Sequence, residues 1–435
     1  ADFMKGTAVL EAGTDRSNIN ATATAKLVSP KLFDNLKLSE GAAVVQVRGT
    51  SVKIISGHVD MDFKNGVAVG KLDLSPTAQW DQLSGHGQAN IRDGEVWGDL
   101  TIKKGHVDLD VQQNSLKKAA GHAKFETKGQ FGGNLSFNAQ DDFAVLNGTA
   151  QSWLTKDENR NFGVKLIADE YHQFTSKIES SSLTAFKGPI GWTHPKFWGQ
   201  VKVGDWTTHL NQITGTGVAD VKQNFRIGEM PGGQLFGTPG SKLTGHFSGG
   251  EFIGVSGTLA WQYHQWLKGT ANIAEPTQTI GVDQMSGELA AGIMAPHLLE
   301  NGSHIRLLPS EVGSLHVKLQ DGAPSHYRGN VNFSFRDFAK GTVKVGGDML
   351  NFNELNGDSV LSVTAAKNIS GQPGMTLKEG GALKVTVANS TIGGFSGPTN
   401  IEFAEWMKAS VDAKVGSSFD DGITGKATGT LLKAP

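Results

Sequence analysis

Five histidines directly follow a glycine: His58, His86, His106, His122 and His246. Imidazole is the commonest metal ligand, so a repeated Gly-His pair suggests metal ions or a porphyrin-type pigment. The residue faces argue otherwise. In His58-Val-Asp-Met-Asp-Phe63 a two-residue period sends Val59, Met61 and Phe63 one way and His58, Asp60 and Asp62 the other. His106, His122, His246 and His316 likewise share their faces with Asp, Lys, Glu, Ser or Gln. A chlorin needs its ligand on the apolar side. These histidines therefore read as polar residues entering strands just after turn glycines.

The acids Asp60/Asp62, Asp108/Asp110 and Asp141/Asp142 invite a glycosidase or calcium reading. Glycosidases place two carboxylates across a cleft, roughly 5–10 Å apart, which neighbours on one strand face do not do. A calcium loop needs alternating acids, a central Gly and a closing Glu, and no run completes that pattern. Gly215-Thr-Gly217 and Gly249-Gly250 fall short of a dinucleotide or phosphate loop. No Gly-x-Ser-x-Gly or His-Glu-x-x-His occurs. No enzymatic activity, metal or cofactor is expected.

The large aromatics are a different kind of candidate. Trp192, Trp198, Trp206, Trp261 and Trp266 crowd the middle of the chain. Flat apolar faces with wet rims suit sugar rings, so these five are the candidate ligand or glycan contacts. The alternative is a hydrophobic core, where large aromatics commonly lie.

The elements that must position these residues are strands. Asn65-Gly66 separates two alternating runs, and Asn-Gly favours the positive φ of a hairpin turn. Similar runs joined by links of two or three residues fill most of the chain, and links that short join only antiparallel neighbours. Three regions follow: an antiparallel meander at 1–150, an aromatic-rich β region with long loops at 151–270, and a short helix followed by a meander at 271–435. The helix is expected at Met285–Leu299, limited by Pro296. The repetition is one of style, without a fixed period.

Composition agrees. Gly is 57 of 435 residues, about twice the ordinary ~7%, while Pro is only 13. That balance suits tight turns between short strands. Charged residues are 19% and the net charge is −2, so no global field recruits nucleic acid. Without cysteine there are no disulfides and no thiolate sites. No stretch has the ~18–20 apolar residues of a membrane helix. A membrane barrel is disfavoured by only 3 Tyr, thin for its aromatic girdles. The start at Ala1 reads as a processed N-terminus, and the chain as extracytoplasmic: periplasmic, extracellular or part of a virion.

Two segments resemble known families. Val9-Leu-Glu-Ala-Gly13 with Ala21-Thr-Ala-Thr-Ala-Lys-Leu27 is similar to the first hairpin of the bacteriochlorophyll-binding antenna protein of green sulfur bacteria. That resemblance implies a β shell around pigment, and the solvent-side histidines oppose it. Ser84–Ile102 resembles the strand-turn style of periplasmic AsmA-type proteins, whose folded-over sheets enclose a lipid-sized groove.

The sequence thus reads as an all-β protein with large, mostly antiparallel up-and-down sheets, folded over or sandwich-like, and at most one or two short helices. The expected function is a non-enzymatic structural protein that forms homo-oligomers or larger assemblies through β edges in the last third, with Val360–Val363 and Leu383–Val387 as the edge runs. Two alternatives stand beside it: a carrier of an apolar ligand such as lipid or pigment, and a glycan-binding protein using the tryptophans.

Overall fold

In the computed structural model the chain is nearly all β, 71% strand and 2% helix, with a large antiparallel sheet and, among the described residues, no closed barrel. The structure describes residues 4–15, 17–33, 36–76, 82–140, 144–230, 233–273, 287–299, 303–320, 323–347, 355–370 and 372–433. Two compact units divide it. The first holds Ala1–Thr193, Gln200–Thr216 and Phe247–Glu251, and the second holds His194–Gly199, Gly217–His246 and Phe252–Pro435.

A six-strand module explains most of the second unit. Its opening strand, Gly287–Ile293, is followed by a short hairpin with arms His297–Leu298 and Ile305–Leu307. An ascending strand Leu315–Gln320, a long strand Ala323–Phe335 and a closing strand Ala339–Gly347 complete it. The ascending strand pairs with the opening strand and with the long strand. The long strand also takes the second hairpin arm and the closing strand. All of these pairings are antiparallel.

The same order then recurs. Gly357–Val363 opens, Lys367–Asn368 and Met375–Lys378 form the short hairpin, and Gly380–Ala388, Thr391–Phe403 and Met407–Ser417 follow. Each strand pairs as its counterpart does. Gly425–Leu431 then stands where a third opening strand would, paired with the closing strand before it. In the first unit, Val145–Leu154, the hairpin Glu158–Asn159/Lys165–Leu166, Phe174–Glu179 and Ser182–Thr193 show the same pairing.

A glycine recurs at the same place in each long strand, Ser182–Thr193, Glu251–Tyr263, Ala323–Phe335 and Thr391–Phe403. Gly188, Gly257, Gly329 and Gly397 have φ of 128°, 108°, 153° and 108°. They recur at intervals of roughly 70 residues, the regular spacing that marks a repeat architecture. The repetition therefore has a period. Sequence inspection misses it because turns and hairpins vary in length while the glycine and its pairing persist.

Four residues beyond each glycine a large side chain enters the core: Trp192, Trp261, Phe333 and Ile401, all at most 5% exposed. Alternate residues on neighbouring strands join them, so each unit buries its own apolar face. In the first unit Ile54, Leu72, Leu100, Val107, Phe125 and Leu146 belong to one such core. Burying a side chain of that size contributes about 1.5–3 kcal/mol.

Four expectations need correction. Residues 287–293 form a strand instead of the helix expected at Met285–Leu299, because Leu289, Ala291 and Ile293 point to the core at a two-residue period; Met285 and Ser286 lie outside the described residues. The turn at Asn65-Gly66 closes a hairpin, but the pairing Phe63↔Ala68 leaves a four-residue loop. Lys64, Asn65 and Gly66 all take positive φ there, and Asp62 Oδ1 accepts a hydrogen bond from the Gly66 amide. Within the region 151–270, where long loops are expected, Phe225–Met230 and Gly233–Gly237 instead pair as a hairpin. Finally, Val360–Val363 and Leu383–Val387 are interior: their strands pair with each other, and each has a second partner on its other side.

Candidate functional site

The five tryptophans do not gather into one site. Trp192 and Trp261 are 0% and 1% exposed. They fill equivalent core positions and offer no face to a sugar. Trp266 belongs to the turn after a long strand, where its ring meets Tyr263 edge-on at 6.4 Å. The corresponding turns hold Phe335 with Phe338 at 6.0 Å and Phe403 with Trp406 at 5.5 Å, also edge-on. Trp266 also stacks on His297 at 4.3 Å, joining its turn to the next short hairpin. That position is a staple of the module. The sequence carries its signal as Trp-x-Tyr-x-x-Trp, Phe-x-Phe-x-x-Phe and Ile-x-Phe-x-x-Trp, a pattern easily taken for scattered aromatics.

Trp198 and Trp206 remain exposed, at 50% and 38%. Trp206 has company. Lys177 Nζ lies 4.4 Å and Lys187 Nζ 4.8 Å from its ring centroid. Among the described residues neither ammonium has a carboxylate partner. Both lysines belong to the paired strands Phe174–Glu179 and Ser182–Thr193 and project from their solvent face.

The strand register extends this face across the first unit. One row runs Lys104–Lys124–Asn134–Gln151–Thr175–Lys187, each residue directly opposite the next. The adjoining row runs Asn90–His106–His122–Ser136–Thr149–Lys177. None of the twelve is acidic or apolar. Asn90 Oδ1 lies 3.4 Å from His106 Nδ1, and Ser136 Oγ lies 2.9 Å from His122 Nδ1. Glu170 reaches in to Lys124 at 3.5 Å, and Asp108 lies outside the rows, bonded to Gln88 at 3.0 Å. His58, His86, His106 and His122 are exposed, whereas His246, expected on the solvent face, is half-buried against Ser256 Oγ at 2.7 Å.

Two other groupings have chemistry to consider. Asp169 Oδ2 is 2.8 Å from His172 Nδ1, and Oδ1 accepts the amides of Tyr171 and His172. Burial raises the Asp169 pKa, but those hydrogen bonds and the nearby imidazole outweigh it and hold the carboxyl below its ordinary value. Among the described residues no hydrogen bond joins a hydroxyl to that imidazole, the contact an activated hydroxyl nucleophile makes with its base. In the second unit a groove of ≈ 1460 Å³ runs over the paired strands near Lys340, Asp358 and Lys384. Thr342 donates to Asn332 and Thr386 to Asp358 on that surface. The lining is mixed: Pro309, Val360 and Val415 stand among Lys340, Asp358 and Lys384, and apolar surface exceeds polar. Among the described residues no group of three or more His, Asp or Glu side chains could hold a metal ion; Asp141 and Asp142 lie outside them.

Comparison with protein-family models, curated proteins and solved structures finds no match.

Proposed function

We propose that this chain is a non-enzymatic structural protein, a repetitive β scaffold that joins neighbouring copies through strand edges. One observation carries the reading: a repeated module in which, among the described residues, the strand Gly425–Leu431 has an open edge and an exposed core-side row. Leu289, Ala291 and Ile293 in one opening strand, and Leu361 and Val363 in the next, are at most 3% exposed. In Gly425–Leu431 every residue is exposed. Its core-side row is known from register, because Ala427, Gly429 and Leu431 sit opposite the buried Val411 and Ala409 and beside Met407. Among the described residues this strand pairs only with Met407–Ser417. Its counterparts take an ascending strand on the other side. An unpaired row of N–H and C=O groups is a template for another chain.

Repetition favours this kind of work. Modules stacked by local pairing present extended surfaces, which suit scaffolding and display. Sedimentation velocity tests the reading. The wild-type chain is expected to self-associate at micromolar concentrations, and the double variant Ala427→Glu/Leu431→Glu to remain monomeric with unchanged circular dichroism. A wild-type monomer at high micromolar concentration would refute it.

A further inference from the structure

We infer that the two solvent-facing rows of the first unit form a binding strip for a linear acidic polysaccharide lying across the strands. Five inter-strand steps of ~4.8 Å give each row a reach of roughly 24 Å. Lysines stand at both ends: Lys104 and Lys124 at one, Lys177 and Lys187 at the other. Between them lie amides, hydroxyls and imidazoles, neutral groups that both donate to and accept from sugar hydroxyls. A sugar ring is about as long as the ~4.8 Å strand spacing, so a chain crossing the sheet meets a fresh polar partner at nearly every residue.

Trp206 gives the lysine pair its character. An aromatic face attracts an ammonium through its quadrupole and leaves the charge uncancelled. Lys177 and Lys187 are therefore held close to one ring with, among the described residues, no carboxylate to neutralise them. Two like charges fixed this way repel each other, and a carboxylate or sulfate between them relieves that repulsion. Side-chain freedom is already restricted before the ligand arrives, which lowers the entropy cost of binding. Lys124 differs because it leans on Glu170, so the Trp206 end is the stronger anchor.

Single-stranded nucleic acid is the competing polyanion, and the strip fits it less well. Such strands are held by a series of aromatic platforms, one under each successive base. Here one exposed indole stands at one end. The neutral centre suits a ligand rich in hydroxyls and carrying spaced negative charges.

Affinity electrophoresis of the full chain through gels containing polygalacturonate tests the proposal, with dextran as the neutral control and oligodeoxythymidylate as the nucleic-acid control. Retardation by polygalacturonate is expected, weakening with added salt and absent in dextran. The Lys177→Gln/Lys187→Gln variant should bind at least ten-fold more weakly, and Lys384→Gln in the second unit should bind normally. Thermal melts confirm that each variant is folded. Three results would each overturn the inference: no retardation of the wild type, equal retardation in dextran, or retardation that the double variant leaves intact. Tighter binding to the oligonucleotide than to polygalacturonate would do so as well.

Discussion

Gly329 holds φ at 153°, and a Cβ placed there would lie 2.2 Å from the Ser314 carbonyl oxygen and 2.8 Å from Leu315 Cα. Both obstacles are backbone of the paired strand and cannot swing aside. Gly313 has φ of 102° but opens onto free space. The two positions separate conformational strain from collision. Gly313→Ala is expected to cost about 1–2 kcal/mol, the price of a left-handed conformation alone. Gly329→Ala should cost about 2–4 kcal/mol, since strain and overpacking combine. Urea denaturation midpoints of the two variants check the difference. A second residue-scale test concerns Asp420, which accepts two hydrogen bonds from Arg336, one at 2.7 Å. The Arg336 hydrogen bonds hold its pKa below the ordinary carboxylate value. A depressed folded-state pKa stabilises at neutral pH, and that contribution is lost as pH falls through the folded value. Wild type should therefore exceed Asp420→Asn in stability at pH 7, and the two should converge below the ordinary carboxylate pKa of ~3.9, as read by thermal melting across pH.

At the scale of elements, Gly380–Ala388 shows what pairing adds to a sequence. Leu383-Lys-Val-Thr-Val387 carries little charge and no proline, which reads as an unguarded edge. In the fold it lies between Gly357–Val363 and Thr391–Phe403, and Val385 is 4% exposed. Val385→Pro removes a ladder donor inside the sheet, so it should destabilise by ~3 kcal/mol or more and lower the unfolding midpoint sharply. The strands themselves were legible because alternation and turn chemistry are local: His58–Phe63 and Val67–Leu74 announce their faces unaided. Partners were not legible, because neighbours in the sheet are chosen by modules whose hairpins differ in length. The same limit applied to the candidate site. Trp206 could be named from sequence, but Lys177 and Lys187 join it only through register. Trp192 and Trp261 could not be told from binding residues without the glycine that aims them inward. Residues 287–293 read as helix because Ala and Leu are good helix formers, and the neighbouring strands overrode that preference.

Across the whole molecule, almost every strand finds its partners within one module of itself: Ala323–Phe335 meets Ile305–Leu307, Leu315–Gln320 and Ala339–Gly347. Stability then accumulates from module contributions and their nearest-neighbour interfaces. Amide hydrogen exchange should show it directly. Gly425–Leu431, held on one side, is expected to lose protection first, and Thr391–Phe403, held by three partners, last.

The short reach of these pairings has a kinetic side. All-β proteins usually fold slowly because their contacts join distant parts of the chain, and each such contact first closes a long loop. Here closure is brief even though the chain is long. Met407–Ser417 can dock on Thr391–Phe403 across a three-residue turn, and Gly425–Leu431 follows one hairpin later. A ribosome releasing this chain exposes each strand soon after its partner. The sheet can therefore assemble in step with translation, with few hydrophobic rows waiting uncovered for residues not yet made.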